Sequence, residues 1–174
     1  IWDEHPLYTG RAGNMGDRAG NFAIQNSDLV LSVGSRLSIR QVGYNYKTWA
    51  REAYVIMNDV DPEELKKPSV HVDIPVHADA KDLMETMAAV LREEYDKKPV
   101  FDGGEGLPGM TWSETCRMYR EKYPTIRKEQ LKPDPTREAN VYAVVEALSS
   151  RLSEDQITVV GNGSACVVGG HAYI

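Results

Sequence analysis

The sequence predicts an α/β domain in which a parallel sheet carries helices on both faces, followed by a linker and the first helix and strand of a second α/β unit. Three observations carry this reading. Two short β-branched runs, Asp28-Leu29-Val30-Leu31-Ser32-Val33-Gly34 and Ala53-Tyr54-Val55-Ile56-Met57-Asn58-Asp59, have the pattern of strands buried on both faces. A weaker third run, Val70 to Val76, precedes an amphipathic stretch with Leu83, Met84, Met87, Val90 and Leu91 at three- and four-residue steps. Strand and helix patterns in alternation call for the crossover connections that parallel strands require.

Asp17 is placed to cap a helix through about Asn26, after the glycine-punctuated segment Gly10 to Gly16. Strands are expected at 28–33, 53–59 and 70–76. Asp61, followed by Pro62, Glu63 and Glu64, reads as the cap of a short helix, and Asp79 opens the long amphipathic one. Residues 97–111 concentrate glycine and proline without a period and read as a connector. The expected division is therefore a domain over 1–96, a linker over 97–134 and the start of a second domain over 135–174. Trp112 to Tyr123 predicts a short helix, and Pro124 to Pro135 a polar extended segment. Asp134 and Pro135 have the form of an N-cap and a first helical position, ahead of the stripe Val141, Val144, Val145 and Leu148. Gln156 to Gly161 predicts a last strand, leading into Gly161-Asn162-Gly163-Ser164. Three strands are few for a doubly wound sheet. Partner segments are therefore expected outside this stretch, with Trp2, Leu7 and Val168 stranded on open surfaces.

The 174 residues are 41% hydrophobic and 26% charged, which is enough apolar material for a core. Twenty basic against 26 acidic residues leave a net charge of −6. That balance gives no basic footprint for nucleic acid or anionic lipid, and no apolar run approaches the length of a membrane span. Cys116 and Cys166 form no CxxC pair and no disulfide framework. His5, His71, His77 and His171 lack metal-ligand spacing, and no metal ligand is assigned. Ser164 is not in a nucleophile elbow, because Cys166 stands where the second glycine belongs.

What remains suits a phosphate. Gly13, Gly16 and the start of the 17–26 helix can offer backbone N–H groups to an anion, although glycines there can equally serve close backbone approach. Gly34, Ser35 and Arg36 follow a buried strand at the edge where open α/β sheets bind ligands, and Arg36 with Arg40 could clamp a diphosphate. Asp59 and Asp61 end the next strand, where an acidic side chain can accept from ribose hydroxyls. Gly34-Ser35-Arg36-Leu37 is not the G-x-G-x-x-G of a nicotinamide dehydrogenase. Asn162, Gly163 and Ser164 again cluster small polar groups after a strand.

In order, His5-Pro6-Leu7-Tyr8, Gly16 to Asn21, Asn26 to Arg36, Asp59-Val60-Asp61-Pro62-Glu63-Glu64 and Val76-His77-Ala78-Asp79-Ala80 resemble the central domain of thiamine diphosphate enzymes of the acetolactate synthase type. The helix at 137–150 and Thr158 to Ser164 resemble the linker and first strand of that family's carboxyl-terminal, diphosphate-binding domain. The resemblance implies a Rossmann-like central domain in a cytoplasmic homo-oligomer, dimer or tetramer. It implies decarboxylation and carboligation of 2-keto acids, pyruvate to acetolactate among them, in branched-chain amino acid biosynthesis. Thiamine diphosphate and Mg2+ are the implied cofactors, with FAD along the central domain in the flavin-containing members. Cofactor contacts then fall on Gly16, Asn21, Gly34, Ser35, Arg36, Arg40, Asp59 and Asp61, and on Gly163, Ser164 and Ala165 for the diphosphate of thiamine. No catalytic residue is assigned here, since the family's activating glutamate and its magnesium motif are expected outside this stretch. Family members carry an acidic pair in R-F-D-D-R, where this chain has Arg36-Leu37-Ser38-Ile39-Arg40. The alternatives are a central domain that holds FAD or NAD without catalysis, or a purely structural one from a related decarboxylase or lyase.

Overall fold

The computed structural model describes residues 3–95, 104–153 and 155–173. Trp2 and the 97–103 part of the expected connector lie outside them. Helix α1 (Arg18–Asn26) leads into strand β1 (Leu29–Val33), the short helix α2 (Ile39–Val42), strand β2 (Tyr54–Asp59) and strand β3 (Ile74–His77). Helices α3 (Ala80–Tyr95), α4 (Trp112–Lys122), α5 (Val141–Ser149) and α6 (Ser164–Ala172) follow. The strands form one parallel sheet in the order β1-β2-β3, with Leu29 opposite Tyr54 and Ile56 opposite Ile74.

Strand β2 is central, and burial follows its position. Val55 and Met57 point to the face where Val30 lies, and the connection after β1 folds over them with Leu37, Val42, Trp49, Ala50 and Ala53. Val70 joins this core although β3 starts only at Ile74. The third strand is therefore shorter than expected. Asp73 replaces a regular start by accepting the Val55 N–H on its side chain at 2.7 Å while its own N–H donates to the Val55 carbonyl at 2.9 Å. That hydrogen bond first, and His71 Nε2 at 2.9 Å after it, hold the Asp73 carboxyl below its ordinary range. A depressed carboxylate contributes stability above its unfolded-state value and loses it as pH falls through the folded one. The urea midpoint of an Asp73→Asn variant should accordingly fall less steeply on acidification than that of the parent protein. Parallel acid limbs would refute this.

The opposite face is more open than the expected two-sided burial. Leu29, Leu31 and Ile74 are exposed on the outer strands, and Tyr54 is exposed at the start of β2, while α3 lies against β2. Helix α4 starts where expected, with a full capping box between Thr111 and Glu114. It packs on α1 through Phe22 against Tyr119 and Tyr123, with ring centroids 5.6 and 5.0 Å apart.

Toward the end of the chain three expectations fail. Asp134 does not start the helix. It closes a local turn by accepting from the N–H and hydroxyl of Thr136 at 2.9 and 2.6 Å, and α5 begins after Asn140, whose Oδ1 takes the Tyr142 N–H at 3.0 Å. The strand expected over 156–161 is absent among the described residues. No neighbouring strand lies beside it, and Ile157 and Val159 stay 83% and 91% exposed. Val168 is not stranded but buried where α5 and α6 pack, whereas Leu7 is exposed as expected.

Candidate functional site

The carboxyl edge of the sheet gathers the turn after β1 and the turn after β2. Gly34 donates its N–H to the Asn58 carbonyl at 3.0 Å, and the Ser32 and Ser35 hydroxyls meet at 2.9 Å. The chain then turns through positive φ at Gly34 (57°), Arg36 (62°) and Leu37 (44°). From the other turn, Glu64 reaches back to Arg36 Nε at 2.7 Å, and Lys67 Nζ lies 2.9 Å from Glu64 and 3.1 Å from the Leu37 carbonyl, with a further bond to the Arg36 carbonyl. Buried Asp59 accepts the Asp61 N–H at 3.0 Å, and Asp61 in turn accepts the Glu63 N–H at 2.9 Å. Asp61 thus closes a tight turn ahead of the expected short helix, which is a 3-10 segment, Glu64–Lys66. Asn58, fully buried, donates to the Val76 and Ala78 carbonyls at 3.1 and 2.8 Å. Its Oδ1 has no partner among the described residues.

The glycine segment forms a second wall joined to the first through α2. Gly13 is clamped by Asn21, which accepts its N–H at 2.8 Å and donates to its carbonyl at 3.0 Å. Asn14 donates to the Arg40 carbonyl at 2.7 Å, and Arg40 lies against Met15 Sδ at 3.5 Å. Gly16 answers a steric need, since a Cβ there would sit 2.2 Å from the Arg11 carbonyl oxygen. Asp17 precedes α1 as expected but does not cap it. Its carboxylate takes the Arg11 N–H at 2.8 Å and the Thr125 hydroxyl at 2.6 Å, so the first-turn N–H groups of α1 receive no side-chain cap. A cavity of about 400 Å³ opens there, lined by Gly16, Asp17, Arg18, Arg127, Tyr142 and His171.

Gly163, Ser164 and Ala165 begin α6, a helix the sequence reading did not foresee. Paired glycines and β-branched Val167 and Val168 hide its period. The far end of α6 touches the glycine segment, where His171 Nε2 donates to the Met15 carbonyl and the Tyr142 hydroxyl lies 3.4 Å from His171 Nδ1. Nine residues of helix put Gly163 about 12 Å from that contact. The fold therefore assembles Gly34, Ser35, Arg36, Asp59 and Asp61 at one edge, with Gly16, Asn21 and Arg40 on the adjoining wall, and leaves 163–165 apart from them. Glu64, Lys67 and Asn58 belong to this edge and were missed. The i,i+3 spacing of Glu64 and Lys67 was the available signal. Among the described residues no group of three or more His, Cys, Asp or Glu could hold a metal ion, and no helix is long and apolar enough to cross a membrane. Burial pushes the Cys116 thiol upward, away from the reactive thiolate.

Parallel strands whose glycine, arginine and acidic turns share a carboxyl edge define a Rossmann-like α/β domain. Residues 1–87 match the family described as thiamine pyrophosphate enzyme, central domain, and the chain belongs to the thiamine pyrophosphate enzymes of the acetolactate synthase type. It is 37% identical over 89 residues to a probable acetolactate synthase large subunit of Methanocaldococcus jannaschii, covering 51% of this chain and 15% of that protein. With the acetolactate synthase large subunit of Corynebacterium glutamicum it shares 30% identity over 165 residues, 92% of this chain and 24% of the relative. A sulfoacetaldehyde acetyltransferase of Roseovarius nubinhibens is 32% identical over 137 residues, 65% of this chain and 22% of that protein. The chain thus spans between 15% and 24% of the length of these relatives.

Proposed function

We propose that the protein is a thiamine diphosphate-dependent carboligase or decarboxylase acting on 2-keto acids, with pyruvate to acetolactate as its reaction. In this reading residues 1–96 form a central domain that holds a dinucleotide, FAD foremost, 97–134 a linker, and 135–174 the start of the thiamine-binding domain. The observation that carries it is the Arg36–Glu64 ion pair, which joins the turn after β1 to the turn after β2 on one carboxyl edge within the family-matched region.

The residues present suit such a ligand. The Arg36 side chain is 70% exposed, so its guanidinium is open to a ligand. Asp59 and Asp61 each spend one carboxylate oxygen on a backbone N–H, which leaves the second for a ribose hydroxyl. The Asn58 Oδ1 is an orphaned buried acceptor at the same edge. Gly34 leaves room for close approach, since a Cβ there would meet only Ala80, at 3.7 Å. At the other locus, Gly163 caps α6 with open space around it, so the N–H groups of Ser164 and Ala165 can donate to a diphosphate oxygen. Bound thiamine diphosphate supplies the nucleophile and electron sink for decarboxylation. This stretch contributes binding and orientation, and the magnesium ligands are assigned outside it.

Acetolactate formation from pyruvate by the purified full-length enzyme should vanish when thiamine diphosphate is removed and return when it is restored. Pyruvate turnover indifferent to thiamine diphosphate would overturn the proposal. Flavin absorbance in the purified protein tests the FAD part. A colourless protein with thiamine-dependent activity reduces the central domain to a structural one.

A further inference from the structure

We propose that Glu64 and Lys67 are positioning residues that hold the arginine turn in its left-handed shape and aim Arg36 at the diphosphate of a bound dinucleotide. This rests on the reading of the carboxyl edge given above. Arg36 and Leu37 both adopt positive φ, a conformation that L side chains disfavour and that persists only where surroundings over-determine it. Lys67 supplies that determination. An ammonium has three hydrogens, and all three are spent, on the Arg36 carbonyl, the Leu37 carbonyl and Glu64. Lys67 therefore has no hydrogen left for a phosphate unless it abandons the turn. Its side chain and that of Glu64 are each only 19% exposed, so the pair is a brace within the edge rather than a solvated surface contact.

Glu64 divides its two oxygens between the cations, Oε1 to Arg36 Nε and Oε2 to Lys67. The 2.7 Å contact tethers the guanidinium to the brace through Nε, beside its pair of terminal nitrogens. That pair is the edge an oxyanion takes bidentately.

The test is a double-mutant cycle on the full-length protein, titrated with FAD and with ADP by calorimetry, with a thermal melt of each variant. Arg36→Ala should weaken binding about tenfold or more, as loss of a charge-assisted bidentate contact does. Lys67→Met should weaken it to a similar degree, and the combined variant should bind no worse than Arg36→Ala alone, because Lys67 acts through Arg36. Glu64→Gln keeps the shape of the brace without its charge, and should show the same non-additivity with a smaller loss should Lys67→Met fold poorly. A merely structural lysine would weaken binding equally in the presence and absence of Arg36. Additive losses, or parental affinity in both the Lys67 and Glu64 variants, overturn this proposal and leave the ligand edge standing. Parental affinity in Arg36→Ala, or no binding of either nucleotide to the parent protein, overturns the reading of the edge and this proposal with it.

Discussion

Truncating Met57 to alanine is expected to destabilise the fold by about 3 kcal/mol, within the range of roughly 2–5 observed for buried Met-to-Ala changes. Met57 has no exposed surface, and it sits on the middle strand with ladders on both sides. Around it lie Val30, Val55, Trp49 and Val70, drawn from three separate stretches of chain. A cavity there cannot close by moving one element, since β2 is fixed by both neighbours. A domain stable by about 5–15 kcal/mol would lose a large share of its margin. The urea midpoint of the protein measures this, with Met57→Leu as a volume-conserving control expected to cost less than about 1.5 kcal/mol. A Met57→Ala loss below about 1 kcal/mol would show that the core around β2 is loosely packed. The loss would also reach the carboxyl edge, because Asn58 and Asp59 continue the same strand.

How legible this was in the sequence depends on the range of the interactions involved. Strands β1 and β2 were readable because Leu29 to Val33 is apolar but for Ser32 and Tyr54 to Met57 is apolar throughout, and a punctuating glycine or aspartate ends each. The long helix α3 was readable for a similar reason, its stripe being purely local. Errors arose where a side chain satisfies a partner remote in sequence. Asp17 looks like a cap, yet its carboxylate is taken by Thr125, more than a hundred residues away. Val70 is apolar because it fills the core, not because it is in a strand. Residues 156–161 have strand composition, but a strand exists only beside another. At the site, the family motifs located both turns, and the parallel register shows why they meet. The brace of Glu64 and Lys67 was only half visible, since their i,i+3 spacing is a sequence signal but the Arg36 and Leu37 carbonyls that Lys67 holds carry none.

Gly16→Ala and Gly34→Ala should differ sharply, and the difference separates two uses of glycine. At Gly16 an added Cβ would lie 2.2 Å from the Arg11 oxygen and 2.5 Å from the Ala12 carbonyl carbon, both backbone. The turn cannot yield cheaply, because Gly16 donates to the Gly13 carbonyl at 2.9 Å, Asp17 to the Arg11 carbonyl at 2.6 Å, and Asn21 clamps Gly13 from the other side. Relieving the overlap means breaking part of that set, so a loss of about 3 kcal/mol is expected, at the upper end for overpacking. Gly34 has ample room, with Ala80 Cβ 3.7 Å away, but a φ of 57°. Its alanine variant carries only the left-handed penalty of about 1–2 kcal/mol. Thermal melts of the two variants test the order, and an alanine at 16 tolerated better than one at 34 would refute the close approach. The consequence bears on the ligand reading. Cofactor loss in Gly16→Ala could not be assigned to a phosphate contact, because the wall itself has moved. At Gly34→Ala the backbone is strained but not displaced, and a fall in FAD affinity larger than the fall in stability would identify Gly34 as a point of ligand approach.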